Sequence, residues 1–200
     1  MSGAQRTPGT GRRRPARERV LAAAERRFYT DGVTATGIDT ITAEAGVAKM
    51  SLYNNFSSKA DLVRAYLEMR HGKWLAQYRS RLQRAKTPRD GVLAVFDSYL
   101  DSAASAGETG FRGCGLLNAA AELPAGDEGR ALVRRHKEEV EQLLAGHLAE
   151  LLPDRPDTAR TTAEHLAFLL EGAVTRAGLE GDATRLRRAR AMAARLLDQL

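Results

Sequence analysis

The sequence predicts an all-α fold of about nine helices, arranged as a small N-terminal unit and a larger C-terminal one. Two observations predict it. Apolar residues recur at spacings of three and four from Ala16 almost to the end, and no segment alternates with the period of two that a strand needs. Start and stop signals also divide the chain at helix-length intervals. With 200 residues and a single Cys, such a fold can bury a sizeable core without covalent staples.

Residues 1–15 are rich in Gly, Pro, Thr and Arg and lack apolar periodicity, so they read as a disordered basic arm that includes Arg12, Arg13 and Arg14. The first helix follows from Ala16, with Val20, Leu21, Ala24 and Phe28 on one face, and Asp31-Gly32 ends it. Thr36-Gly37-Ile38-Asp39 has the pattern of a capping box, which predicts a short helix over about 37–45 with Thr36 as its cap. Gly46 supplies a tight turn, and 48–54 forms a second short helix. Ser58-Lys59-Ala60-Asp61 is another capping box. It opens a long helix whose face runs through Leu62, Tyr66, Met69, Trp74, Tyr78 and Leu82, with a slip of one residue between Met69 and Trp74.

Thr87-Pro88-Arg89-Asp90 starts the next helix, with Pro at its first position. Residues 106–113 are a loop, and 116–123 a short helix ended by Pro124. An amphipathic helix spans about 127–152, closed by Pro153 and Pro156. Two further helices, about 157–177 and 183–200, finish the chain, the last with Leu186, Ala189, Ala193, Leu196 and Leu200 on one stripe.

Charge is unevenly spread. Residues 1–60 carry 10 basic and 5 acidic side chains, and residues 61–200 carry 21 and 20. The surplus suits a polyanionic partner for the N-terminal third, or simply a solvated tail. Lone Cys114 cannot close an internal disulfide, which points to a reducing, cytoplasmic setting. No apolar run approaches the ~18 residues of a membrane span, and the N-terminus has no apolar signal region, so no membrane partner is expected. No nucleophile elbow, phosphate loop or metal-ligand spacing is present, so neither an enzyme nor a cofactor or metal is expected.

Two short helices about a glycine, packed on a preceding helix, can form a helix-turn-helix whose second helix enters a DNA major groove. Lys49, Met50, Ser51, Tyr53 and Asn54 are then directed outward, with Leu52 and Val47 inward. The run from Val20 to Phe28, then Gly32, Thr36, Ile41, Ala45-Gly46-Val47, Leu52-Tyr53, Phe56 and Lys59-Ala60-Asp61-Leu62 resembles the DNA-binding domain of TetR-type transcriptional regulators. A second segment, Gly113 to Glu122, is similar to one found in many members. The resemblance implies a helix-turn-helix DNA-binding domain at 16–60, followed by a helical ligand-binding and dimerisation domain at 61–200. It implies phosphate contacts from Thr36, Tyr53 and Lys59, and base contacts from Lys49, Met50 and Ser51.

Three positions depart from the family pattern: Ala48 where Ser is common, Met50 where a small residue is common, and Asn55 where His is common. The first removes a hydroxyl cap from the recognition helix. Arg12, Arg13 and Arg14 are candidate arm contacts to DNA. In the larger domain Trp74, Tyr78, Phe96, Tyr99, Phe111 and Phe168 are candidates to line a pocket for a small apolar ligand, although aromatic stripes at this spacing also build ordinary cores. Cys114, Asn118, Glu122 and His165 are candidate polar groups there. His136 is a further candidate, although its charged stretch favours a solvent-exposed reading over a ligand role. Cys114 is read as a buried inert thiol ahead of a redox switch.

The function expected is therefore a ligand-responsive repressor that binds a palindromic operator in double-stranded DNA. It would act as a homodimer formed through helices 157–177 and 183–200. The alternatives are a DNA-binding protein without an effector and a helical carrier or enzyme for a small apolar molecule.

Overall fold

The computed structural model describes residues 15–106 and 110–200, so Arg12, Arg13 and Arg14 lie outside the described residues. Among the described residues there are nine helices and no strand. They are α1 (Ala16–Thr30), α2 (Ile38–Ala45), α3 (Lys49–Tyr53), α4 (Lys59–Leu82), α5 (Pro88–Ala104), α6 (Gly115–Ala121), α7 (Glu128–Leu151), α8 (Pro156–Glu180) and α9 (Thr184–Leu197).

Side-chain caps fix the starts of α4, α5 and α7. Ser58 accepts from the Asp61 N–H, so α4 starts where its sequence signal stands. Asp61 reaches back one residue further than a capping box requires, accepting from the Ser57 N–H at 2.9 Å. At α5 the reciprocal Thr87–Asp90 box is complete, with Pro88 at the first helical position. The capping expectation for Thr36 is corrected: α2 begins one residue later, with Gly37 in the cap position and no side-chain cap. Thr36 is instead 2% exposed, and its hydroxyl donates to the Gly32 carbonyl at 2.6 Å. That bond closes the turn between α1 and α2, so the hydroxyl serves the loop and not the helix end.

Two apolar clusters hold the chain together. The first gathers Val20, Phe28, Ile41, Leu52 and Phe56 of the N-terminal helices with Leu62 to Leu67 of α4, Leu116 of α6 and Val133 of α7. The second joins Trp74 and Tyr78 of α4 to α5, the C-terminal part of α7, α8 and α9. Helix α4 thus belongs to both cores. The slip in its apolar period between Met69 and Trp74 marks the handover: from Glu68 to Lys73 no residue is fully buried. A helix that serves two cores on different sides cannot keep a single stripe. At the C-terminus the buried position is taken by Leu197, while Leu196 is only partly covered.

Candidate nucleic-acid interface and the cavity behind it

The short helix α3 is placed by the residues it hides. Leu52 and Ile41 are fully buried, and Gly46, with φ +61°, turns the chain between α2 and α3 in the left-handed region that glycine enters without a Cβ clash. Arg19 of α1 fastens the same corner, donating to the carbonyls of Ala45 at 3.2 Å and Gly46 at 3.0 Å. A second clamp is ionic: Arg26 and Arg27 of α1 both bind the Glu44 carboxylate of α2, Arg26 at 2.5 Å. Burial of Glu44 raises its carboxyl pKa, but the two guanidinium groups outweigh this and hold it below the usual range.

This corner leaves one face of α3 in solvent. Met50 is 71% exposed and Tyr53 43%, while Lys49 and Asn54 are also exposed and Ser51 is half-buried. Lys49 is already engaged: its ammonium lies 2.9 Å from Asp39 of α2, and that carboxylate holds the amine charged above its usual range. Ala48 occupies the cap of α3 without any side-chain hydrogen bond, as its methyl group dictates. Asn55 turns back on the helix, donating to the Ser51 carbonyl at 2.8 Å. Lys59, at the first position of α4, donates to the Thr34 carbonyl at 3.3 Å. Of the candidate DNA contacts, Lys49, Met50, Tyr53 and Asn54 therefore share the outer surface with Ser51 beside them. Thr36 lies beneath it.

Helix α6 ties this unit to the larger one. Its C-terminal Glu122 accepts from the backbone N–H groups of Val33 at 3.1 Å and Thr34 at 2.7 Å, in the α1–α2 loop. Burial raises this carboxyl, and the two N–H donors more than offset it, so it titrates below its usual range. Gly32, at φ +93°, sits directly under that carboxylate, where an added Cβ would lie 2.8 Å from Oε1.

Behind α1 a cavity of about 880 Å³ opens between α1, α4, α5 and α6. Of the candidate pocket residues it brings together Trp74, Tyr99, Phe111 and Cys114. The others lie elsewhere. Phe96 is wholly buried in the second core, and Tyr78 bonds His147 Nε2 at 2.7 Å across α4 and α7. Asn118 is exposed and donates to the Arg112 carbonyl at 2.7 Å. Phe168 is 65% exposed on the outer face of α8, and His165 is exposed beside it.

His136 reverses its sequence expectation. It is 2% exposed and lines the cavity, with its Nδ1 2.9 Å from His71 Nδ1 and its ring edge-on to Trp74. Burial pushes its pKa down to about 3. The charged neighbours Arg134, Arg135 and Glu138 are exposed, so the misreading came from treating a one-sided helix as uniformly wet. Next to it, Lys137 reaches inward to Glu171 at 2.7 Å, to Tyr99 and to Cys114 Sγ at 3.6 Å. Burial opposes its charge, but these three groups hold the ammonium charged above its usual range.

The sequence reading missed the charged groups on the cavity rim. Glu25 of α1 binds Lys73 of α4 at 2.5 Å and Arg70 at 3.5 Å, and Arg26, Arg27 and Glu44 stand nearby. These pairs join residues 17 to 48 positions apart, and no local spacing announces them.

A three-helix unit with an exposed short second motif helix, fused to a larger helical unit, defines a helix-turn-helix transcriptional regulator. The comparisons with known proteins narrow the class. A family model described as bacterial regulatory proteins, tetR family, matches residues 20–66. A solved TetR-family transcriptional regulator from Streptomyces coelicolor is 32% identical, with a TM-score of 0.81, over 92% of this chain and 88% of that one. The chain belongs to the TetR family.

Among curated relatives, the HTH-type transcriptional regulator TtgR of Pseudomonas putida is 37% identical over 76 residues, 38% of this chain and 34% of the relative. The HTH-type transcriptional activator FasR of Mycolicibacterium smegmatis is 34% identical over 94 residues, 46% of this chain and 43% of the relative. The matches thus span less than half the length of these curated relatives.

Proposed function

We propose that the protein is a ligand-responsive repressor that binds a roughly palindromic operator as a homodimer. Its DNA-binding domain would be residues 16–60 and its effector and dimerisation domain residues 61–200. The observation that carries the reading is the exposed face of α3, with Lys49, Met50, Tyr53 and Asn54 held outward by the buried Leu52. In this reading Lys49, Met50 and Ser51 meet base edges, while Tyr53 and Lys59 hold phosphates. Thr36 positions the loop from below, and Arg12, Arg13 and Arg14 would add charge along the backbone.

The dimer reading is supported by the outward faces of α8 and α9. Thr161, His165, Phe168, Gly172, Thr175 and Leu179 follow one another on α8 at spacings of three and four, and all are exposed. Leu179 is 79% exposed and Met192 of α9 is 48% exposed. Pairing these faces about a two-fold axis would set two copies of α3 about one DNA turn apart, ~34–36 Å. No helix among the described residues is long and apolar enough to cross a membrane, and a DNA-binding role supports a cytoplasmic location.

Effector entry behind α1 would favour a state in which the two recognition helices no longer match successive major grooves, and the operator is released. The test is selection of bound fragments from a random DNA pool with the full-length protein. The expected result is an inverted repeat with half-sites one turn apart. Recovery of unrelated fragments, bound equally, would sink the reading.

A further inference from the structure

The cavity behind α1 has an aromatic floor and a charged rim. Trp74, Tyr99 and Phe111 are buried and form the floor. The indole N–H of Trp74, a residue only 5% exposed, finds no acceptor among the described residues. A buried donor without a partner costs free energy unless something supplies an acceptor. On the rim stand four cations (Arg26, Arg27, Arg70 and Lys73) and two carboxylates, Glu25 and Glu44, with Asp31 just outside also paired to Arg27. Glu25 is the shared partner of Lys73 and Arg70, and it is the ionic tie between α1 and α4.

We propose that this cavity takes a flat, apolar organic anion whose rings lie against Trp74 and whose charged group competes with Glu25 for Lys73 and Arg70. Three features converge on that class. The volume of about 880 Å³ fits a drug-sized molecule. The floor offers stacking surface and a donor that needs an acceptor. The rim carries more cations than carboxylates, and at Glu25 and Arg70, which are partly buried, charge pairing is screened less than in open water. An anion seated there draws Lys73 and Arg70 away from Glu25 and so loosens α1 from α4. The inference rests on the effector reading above, and it adds the ligand's chemistry and the bond it displaces.

The experiment titrates the full-length protein with two fluorescent probes that share the same rings, anilinonaphthalene sulfonate and its uncharged counterpart phenylnaphthylamine. The sulfonate is expected to bind roughly tenfold more tightly, the worth of one charge-assisted contact. Lys73→Gln breaks one of Glu25's ion pairs and Glu25→Gln breaks both, so any purely structural cost acts in the same direction in the two variants. They are nevertheless expected to act in opposite directions. Lys73→Gln should weaken the sulfonate roughly tenfold, and Glu25→Gln, which removes the competing carboxylate, should tighten it several-fold. Neither should move the uncharged probe, while Trp74→Phe should weaken the sulfonate.

Equal affinity for the two probes, or the same direction of change in both ion-pair variants, overturns the proposal. Operator affinity measured at saturating sulfonate is a separate readout. If binding follows the expected pattern and the operator is still held, the effector reading fails and the ligand class stands.

Discussion

At the scale of single residues, the DNA-facing surface is restrained by its own chain. Lys49 is paired with Asp39 on the preceding helix, so in the proposed binding mode one of the few cations of the motif would meet DNA with its charge partly engaged. Exposed pairs of this kind are worth ~0–1 kcal/mol, so the brake is mild. Asp39→Asn should therefore tighten DNA binding several-fold and steepen its salt dependence by about one unit, measured by titration at several salt concentrations. An unchanged affinity and slope would mean that Asp39 does not hold Lys49 back from the DNA. Neither the Lys49–Asp39 pair nor the buried state of His136 was legible in the sequence. Lys49 and Asp39 are ten positions apart on different helices, and of the charged neighbours of His136, Arg134, Arg135 and Glu138 face outward while Lys137 turns inward to Glu171. His136 makes a prediction of its own. Its folded pKa lies near 3, below the ordinary imidazole value of 6.5. The unfolded chain therefore takes up a proton first as pH falls, and stability drops from about pH 6.5 toward pH 3. That loss should reach on the order of 1–2 kcal/mol by pH 5. Thermal unfolding of the wild type should show the slope, and His136→Gln should flatten it.

At the scale of elements, local signals and long-range ties were unequally readable. The helices announced themselves wherever a cap and an apolar stripe coincided, as at Thr87–Asp90 and Ser58–Asp61. The slip in α4 was visible too, although only the two cores on either side of Glu68–Lys73 explain it. What no pattern could announce is the contact from the end of α6 to the α1–α2 loop. Glu122 accepts from two backbone N–H groups 88 and 89 positions away, at a place where Gly32 alone leaves room for it. A carboxylate held below its usual range stabilises the fold above the unfolded value and loses that contribution as pH falls through its own lowered pKa. The tie is therefore intact at neutral pH and lost only in acid. Glu122→Gln keeps the shape but surrenders charge-assisted acceptance, so it should loosen α6 from the loop at neutral pH. Hydrogen exchange at the Val33 and Thr34 amides should rise in that variant, with the helices of the second core unaffected. Unchanged protection at both amides would mean that the loop is held without Glu122.

At the scale of the whole molecule, the aromatic residues of the larger unit divided three ways, and the reason is geometric. Trp74, Tyr99 and Phe111 line the cavity, Tyr78 and Phe96 fill the core, and Phe168 faces outward. Apart from Phe111, which lies in the loop before α6, they recur at helical spacing, so periodicity places each on an apolar face without saying what covers that face. Nothing among the described residues covers Phe168, and along α8 the exposed stripe that carries it continues through Gly172, Thr175 and Leu179 at one-turn intervals. A large ring 65% exposed on such a face gains little in a lone protomer and much in a pair. Phe168→Glu should accordingly leave the protomer's helical content and packing intact, because the side chain supports neither core. It should set two carboxylates against each other across a two-fold axis, where close like charges are costly. Sedimentation should then report monomers at concentrations at which the wild type is dimeric. Operator affinity should fall by about a hundredfold or more, since each monomer keeps only one recognition helix. A variant that sediments as a monomer yet binds the operator undiminished would remove the dimer from the mechanism. One that remains dimeric would move the interface off α8.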